Sequence, residues 1–243
     1  MNAVEISHLS RRFGDRTAVD DLSLSIERGE AFSLLGVNGA GKTTTLRMLC
    51  GLIPPSGGEA RLLGHPAGSP EARACLGLSP QETAVAGNLT ARENLTLMAR
   101  IHGMNPAEAR RAAQFQIDEL SLGEIADRRA KKLSGGWQRR LSIAMAMVSR
   151  PEILVLDEPT LGLDVLARRE LWTFIRGLHG RTTLLLTTHY LEEAEALSDR
   201  IAVMARGQLR ALGTPAALKA QTGTDTFEDA FVALAGESAQ HPI

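Results

Sequence analysis

The stretch EAFSLLGVNGAGKTT (residues 30–44) passes from an apolar run, through three glycines, into a lysine and two threonines. An apolar run bounded by turn residues reads as a buried central strand, and the residues after Thr44 follow a helical pattern. Strand before and helix after is the context that a G-x-x-x-x-G-K-[ST] phosphate-binding loop requires. Gly36, Gly39 and Gly41 let the backbone turn tightly and aim N–H groups inward, where a side chain would block a phosphate. The helix N-terminus that follows adds its positive end. Lys42 brings a point charge to the β- and γ-phosphates, Thr43 a hydroxyl for Mg²⁺, and Thr44 a bond to the α-phosphate. Asn38 and Ala40 complete the loop that wraps the nucleotide.

Outward from this loop, EILVLD (152–157), TTLLLTTH (182–189) and RIAVMA (200–205) read as further buried strands alternating with helical patterns. That alternation predicts an α/β fold with a mostly parallel sheet. VLARRELWTFIRGL (165–178) carries Leu171, Trp172, Ile175 and Leu178 at helical spacing, which makes Trp172 a core residue. From about Glu82 to Arg150 no strand is expected. Thr90 with Glu93 has capping-box spacing, and Asn105 with Pro106 reads as a cap and first helical residue. Pro54, Pro55, Gly57 and Gly58 form a turn after the first helix. The expected division is an α/β core over 1–82 and 151–222, a helical subdomain over 83–150, and a short helix (TFEDAFVALAG) with a frayed polar end over 223–243.

The strand ILVLD ends in the acid pair Asp157 and Glu158, at the sheet edge where open α/β folds bind ligands. Neighbouring strand residues point to opposite sides, so the two carboxylates divide their work. Asp157 takes the Mg²⁺ side, and Glu158 faces the γ-phosphate to polarise a water, a general-base role worth about 10²–10⁴-fold. An Asp-Glu pair alone is more often a solvated strand end; its partnership with the phosphate loop reverses that. His189, at the end of TTLLLTTH, and Gln81, in the loop LSPQET, carry little weight in isolation. His8, His65, His102, His179 and His241 show no partner pattern. LSGG (133–136), just before a helical pattern, is a second backbone cradle suited to an anion.

Phosphate loop, Gln81, LSGG, ILVLDEP, LGLD and TTH, in this order and at these intervals, resemble the nucleotide-binding subunits of ABC transporters, over about residues 3–220. The resemblance implies a RecA-like ATPase core with an N-terminal antiparallel β region and an inserted helical subdomain. It implies ATP and Mg²⁺ as ligands. It also implies that two such domains dock head to tail, with Ser134, Gly135 and Gly136 of each contacting the ATP of the other. By the same likeness Phe13 stacks on adenine, Gln81 touches Mg²⁺ or the attacking water and relays to the membrane subunit, Asp164 communicates between sites, and His189 holds the γ-phosphate. Two positions depart from the family pattern. Trp137 replaces the glutamine of LSGGQ, with dimer contacts or nucleotide affinity as the properties it would tune. Leu161 stands where serine or alanine is commoner, and would alter cross-talk.

Within the family, LSGGWQRRLSIAMAMVSRPEILVLDEPTLGLD and TTHYLEEAEALSDRIAVMARGQLRALGTPAALK look most like the daunorubicin-resistance and nodulation-type exporters. These pair a separate ATPase chain, a homodimer or a heterodimer, with an ABC-2 membrane permease. The implied place of work is the cytoplasmic face of the membrane. Non-transport ABC ATPases, acting in cluster assembly or translation, and importers stay open as alternatives; an unrelated phosphate-loop kinase or GTPase is disfavoured by LSGG, the acid pair and His189 together. A formal charge of −1 and 4% aromatics give no platform for nucleic acid. Cys50 and Cys75 lack metal-ligand spacing and read as reduced thiols. No apolar run reaches the ~18 residues of a spanning helix, and the N-terminus has no signal-peptide core, so the chain is expected to be soluble by itself.

Overall fold

The computed structural model describes residues 2–236; His241 and the polar end of the tail lie outside the described residues. The chain opens with two long strands, β1 (Asn2–Phe13) and β2 (Arg16–Glu27), paired antiparallel. Next come β3 (Ala31–Leu35) and, across the phosphate loop, helix α1 (Lys42–Leu49). β4 (Gly57–Leu62) and the short β5 (His65–Pro66) complete a four-stranded antiparallel sheet in the order β2-β1-β4-β5. Gly57 and Gly58, expected in a turn, therefore open a strand: only Pro54 and Pro55 precede it.

After α2 (Pro70–Ala74), β6 (Leu76–Ser79) enters the second sheet, which also holds β7 (Ile153–Asp157), β8 (Thr183–Thr188), β9 (Arg200–Ala205) and β10 (Gln208–Gly213). Its order is β10-β9-β3-β8-β7-β6, parallel throughout except for the edge pair β9–β10. Strands β3, β7 and β8 are buried along their whole length. Their side chains alternate between two cores. Leu154, Leu156, Leu184 and Leu186 pack toward the helical side, while Phe32, Leu34, Ile153, Val155 and Leu185 pack toward α1 and the antiparallel sheet. Each such leucine, fully buried, stabilises the fold by roughly 1.5–3 kcal/mol.

Three α-helices lie in the segment between β6 and β7: α3 (Ala91–Ile101), α4 (Pro106–Glu119) and α5 (Gly135–Ala146). Both expected N-termini hold, and each forms a reciprocal capping box, Thr90 with Glu93 and Asn105 with Glu108. Asn94 pins this unit to its entry loop. Fully buried, it accepts from the Ala86 N–H at 2.8 Å and donates to the carbonyls of Ala86 at 3.1 Å and Thr90 at 2.9 Å.

Helix α6 (Val165–Arg176) follows β7, and α7 (Leu191–Leu197) follows β8. Trp172 is only half-buried rather than central to the core: its indole packs against the edge and donates to Glu193 Oε1 at 3.2 Å. α8 (Pro215–Thr222) and α9 (Phe227–Gly236) cover β9 and α7 through Leu218, Phe227 and Ala230. Among the described residues no helix is long and apolar enough to cross a membrane.

Replacing Asn94 by leucine, close to it in size, orphans the Ala86 N–H and removes one of the donors to the Ala86 and Thr90 carbonyls. It should cost about 2–4 kcal/mol in urea-induced unfolding; a loss near zero would remove Asn94 from this role.

Candidate functional site

Three of the strands end side by side, and register decides what meets there. β8 lies between β3 and β7, with Leu35 opposite Thr188 and Asp157 opposite Thr187. The phosphate loop leaves β3, the acid pair leaves β7 and His189 leaves β8, so all three arrive at one carboxyl edge. The loop's glycines are there for space as well as conformation. A Cβ on Gly36 would lie 2.4 Å from the Met204 carbonyl oxygen, and Gly41 has φ +103° with the Ala18 carbonyl 2.6 Å from where its Cβ would be.

Lys42 is buried. Its Nζ donates to the Gly36 carbonyl at 2.7 Å and lies 3.4 Å from Glu158 Oε1. The other Glu158 oxygen, Oε2, meets His189 Nδ1 at 2.6 Å. A carboxylate taken so far out of water is tolerable only with such partners. The sequence predicts that the pleat of adjacent strand residues separates the two carboxylates, but β7 ends at Asp157 and Glu158 leaves the pleat. Its φ is +48°, and its N–H is held by Thr187 through the carbonyl at 3.1 Å and the hydroxyl at 3.0 Å. That left-handed turn swings the Glu158 side chain toward the phosphate loop, a conformation that costs of order 1–3 kcal/mol and is held by its surroundings. Asp157 stays on the strand and reaches the start of α1: its Oδ1 accepts from Thr187 Oγ1 at 2.5 Å and from Thr43 Oγ1 at 3.3 Å. The two carboxylates therefore have different partners, and the turn at Glu158 is what separates them.

A cleft of about 460 Å³ opens over this edge, lined by Phe13 at its rim, by Asn38 to Thr44, and by Gln81, Glu158, Leu161 and His189. Phe13 is 47% exposed, presenting one ring face, while the Arg11 guanidinium lies 4.6 Å from the ring centroid. Ser134, Gly135 and Gly136 are not among the described residues lining this cleft. Ser134 occupies the N-cap position of α5 and Gly135 its first turn, both exposed. Asp164 is exposed too and caps α6, accepting from the Ala167 N–H at 2.9 Å. The structure thus gathers the phosphate loop, Gln81, Glu158 and His189 and leaves the LSGG cradle and Asp164 apart, facing outward.

Several residues that matter here had no sequence signal of their own. Thr187 holds the Asp157 carboxylate and the Glu158 backbone N–H. Arg139, from the basic run after LSGG, is buried and reaches back to the Gln81 loop, donating to the Pro80 and Gln81 carbonyls at 2.6 Å each. Burial lowers its pKa, and the nearby Asp157 and Glu193 act against that. Arg16 joins the lining of the cleft. Trp137 turns toward its own chain, half-buried beneath the Arg140 guanidinium at 4.6 Å, and Arg140 pairs with Glu170 of α6 at 3.1 Å. Both cysteines are free. Burial, with a smaller contribution from Asp157, pushes the Cys50 thiol up to about 12 and leaves it chemically quiet.

A model of the ABC transporter family matches residues 19–161, more than half the chain. The chain belongs to that family. Nod factor export ATP-binding protein I of Paraburkholderia xenovorans is 44% identical over 93% of this chain and 76% of its own length. The daunorubicin/doxorubicin resistance ATP-binding protein DrrA of Streptomyces peucetius is 44% identical over 93% of this chain and 69% of its own. A solved ATP-binding subunit of an ABC transporter superposes with a TM-score of 0.81 at 29% identity, covering 96% of this chain and 99% of that one. A second, solved as a dimer after hydrolysis with ADP and Pi bound, gives 0.75 at 25% identity, covering 87% and 98%. As a member of the ABC family the chain binds ATP and is a transport-coupled ATPase.

Glu193 on α7 is wholly buried, and burial raises its pKa above the ordinary 4.5, opposed by the Trp172 indole N–H that donates to its Oε1 and helped by a small push from Glu158. A raised acid stabilises the fold fully below the ordinary value, and this stability is lost as pH climbs through the folded-state value. Glu193→Gln should therefore reduce the fall in urea midpoint above about pH 4.5. An unchanged slope would mean that Glu193 ionises freely in the native protein.

Proposed function

We propose that this chain is the ATP-hydrolysing subunit of an exporter. It dimerises on ATP and drives a substrate through a separate membrane permease of ABC-2 type. The convergence of Lys42, Glu158 and His189 in one cleft, with Ser134 and Gly135 exposed and outside its lining, is the observation that carries the reading. Half of an ATP site is built here, and the other half is presented to a second nucleotide-binding subunit, identical or not. The Nod factor and daunorubicin export relatives favour export of a drug, lipid or other small amphipathic compound, with the chain docked at the cytoplasmic face of the membrane. On this reading the α/β core spans 1–82 and 151–222, the helical subdomain 83–150, and the C-terminal helix with its tail 223–243.

In the proposed cycle the loop from Gly36 to Thr44 wraps the triphosphate with backbone N–H groups, Lys42 neutralises the β- and γ-phosphates, and Phe13 stacks on the adenine. Thr43 Oγ1 and Asp157 Oδ1, hard oxygens 3.3 Å apart, fit Mg²⁺, which prefers few protein oxygens beside phosphate, and Gln81 reaches toward the same region. When bound, that ion would offset the negative charge of the phosphates. Glu158 polarises the attacking water, and His189, oriented by its 2.6 Å bond to Glu158, steadies the γ-phosphate. Ser134 and the N–H groups of Gly135 and Gly136 close on the partner's γ-phosphate, and Asp164 carries information between the two sites. Closure reaches the permease through the Gln81 loop, which Arg139 ties to the helix that begins with the LSGG glycines.

Glu158→Gln should bind ATP and accumulate as an ATP-dependent dimer on size exclusion, with hydrolysis reduced by about 10²-fold or more; normal turnover would remove Glu158 as the base. Ser134→Arg should abolish hydrolysis while ATP affinity stays within about twofold. Purification of the tagged chain from detergent-solubilised membranes should bring down a stoichiometric polytopic partner, whereas ribosomes or a soluble scaffold would indicate a non-transport ATPase.

A further inference from the structure

His189 is held at one point by Glu158, but a single hydrogen bond leaves the plane of an imidazole free to swing, because the terminal torsion is broad. A second constraint comes from behind. His189 also borders a second cleft, lined by Arg168, Tyr190, Glu192, Glu195 and Phe227, whose described lining shares only His189 with the first. There the ring of Tyr190, the chain's sole tyrosine, lies 4.1 Å from the His189 ring at a tilt of 39°. Arg168 covers Tyr190 in turn, with its guanidinium carbon 4.5 Å from the ring centroid. The Arg168 Nε is enclosed and has no hydrogen-bond partner, so the aromatic face is what engages this part of the guanidinium.

The stack has a definite anchor at each end. Arg168 sits in the first turn of α6, its N–H bonded to the Asp164 carbonyl at 2.9 Å, and the Asp164 side chain caps the same turn at Ala167. The Tyr190 N–H is fixed by Thr188 Oγ1 at 2.9 Å, at the end of the strand that delivers His189. A continuous path therefore runs from Asp164 through Arg168 and Tyr190 to His189 and Glu158.

We infer that Tyr190 and Arg168 are positioning residues for His189: the stacked ring fixes the imidazole plane, and the arginine ties that ring to the helix headed by Asp164. A shift of the Asp164 turn when a second subunit docks is then felt at the residue facing the γ-phosphate. The inference rests on the proposed role of His189, and its test separates the two.

Steady-state ATP hydrolysis by the full-length chain would be compared for Tyr190→Leu, Tyr190→Phe, Arg168→Met, the double variant Arg168→Met with Tyr190→Leu, and His189→Ala. Tyr190→Leu and Arg168→Met should each lower kcat by about 3–10-fold with KM for ATP changed less than about twofold. Tyr190→Phe, which keeps the ring, should restore most of the loss. The double variant should be little worse than the poorer single one, because both act through one stack. Normal kcat in the single variants, multiplying losses in the double, or a Tyr190→Phe as poor as Tyr190→Leu would each overturn the inference. Arg168 is only partly buried at a helix start, so its variant keeps the question answerable should a Tyr190 variant fold badly. Full turnover in His189→Ala would sink the assigned role of the histidine itself, whereas an inactive His189→Ala beside normal Tyr190→Leu and Arg168→Met would sink the stack alone.

Discussion

The Glu158 carboxylate, buried between the Lys42 ammonium at 3.4 Å and the His189 ring at 2.6 Å, is the contact on which the site depends. Its partners come from chain segments more than 100 residues apart, so it exists only if β3, β7 and β8 lie side by side in the correct register. A slip of one residue would send every core leucine of a strand to the wrong face. The packing of alternate β7 side chains into two cores, which fixes its register, thereby also fixes where Asp157 ends and Glu158 turns away. Thr187 completes the arrangement: its carbonyl and hydroxyl hold the Glu158 N–H, and the same hydroxyl donates to Asp157. Structural and chemical demands meet at the same few atoms.

A second constraint is topological. The LSGG cradle begins α5, whose buried Arg139 grips the Gln81 loop, and Arg140 lies over Trp137 while pairing with Glu170 of α6. The helical subdomain is thus tied both to the loop beside the cleft and to the helix headed by Asp164, while Ser134 itself faces outward. On the proposed reading, a unit tied in this way would carry the LSGG helix start to the second subunit's site. Stacking of Trp137 within its own chain gives that helix a firm seat at the position where the family more often has glutamine.

Much of this was legible before folding was considered. The phosphate loop, the acid pair and the LSGG glycines are short patterns whose chemistry depends on local spacing, and the apolar runs of β3, β7 and β8 announce buried strands. Thr90 and Asn105 announced their helices for the same reason: a cap is a local interaction. What escaped was non-local. β1 and β2 are half-exposed strands rich in charged residues, so their periodicity is diluted, and only family likeness suggested them. β6 is too short to stand out, and Gly57 and Gly58 read as a turn because nothing local shows that β1 is waiting to pair with them. Glu193 sits in the acidic run LEEAEAL, which looks like a solvated face; only tertiary packing buries it. The left-handed turn at Glu158 is likewise imposed by Thr187 from a neighbouring strand.

The central claim is that each ATP site is completed by a second subunit. It is tested most directly by mixing two inactive chains, one carrying Lys42→Ala and the other Ser134→Arg, and measuring ATP hydrolysis. If sites are shared, mixed dimers contain one whole site, formed by the intact phosphate loop of one chain and the intact LSGG of the other. Random mixing should then restore about a quarter of wild-type turnover. If each chain built its site alone, both would stay defective in any mixture, and turnover no higher than that of the separate variants would contradict the account.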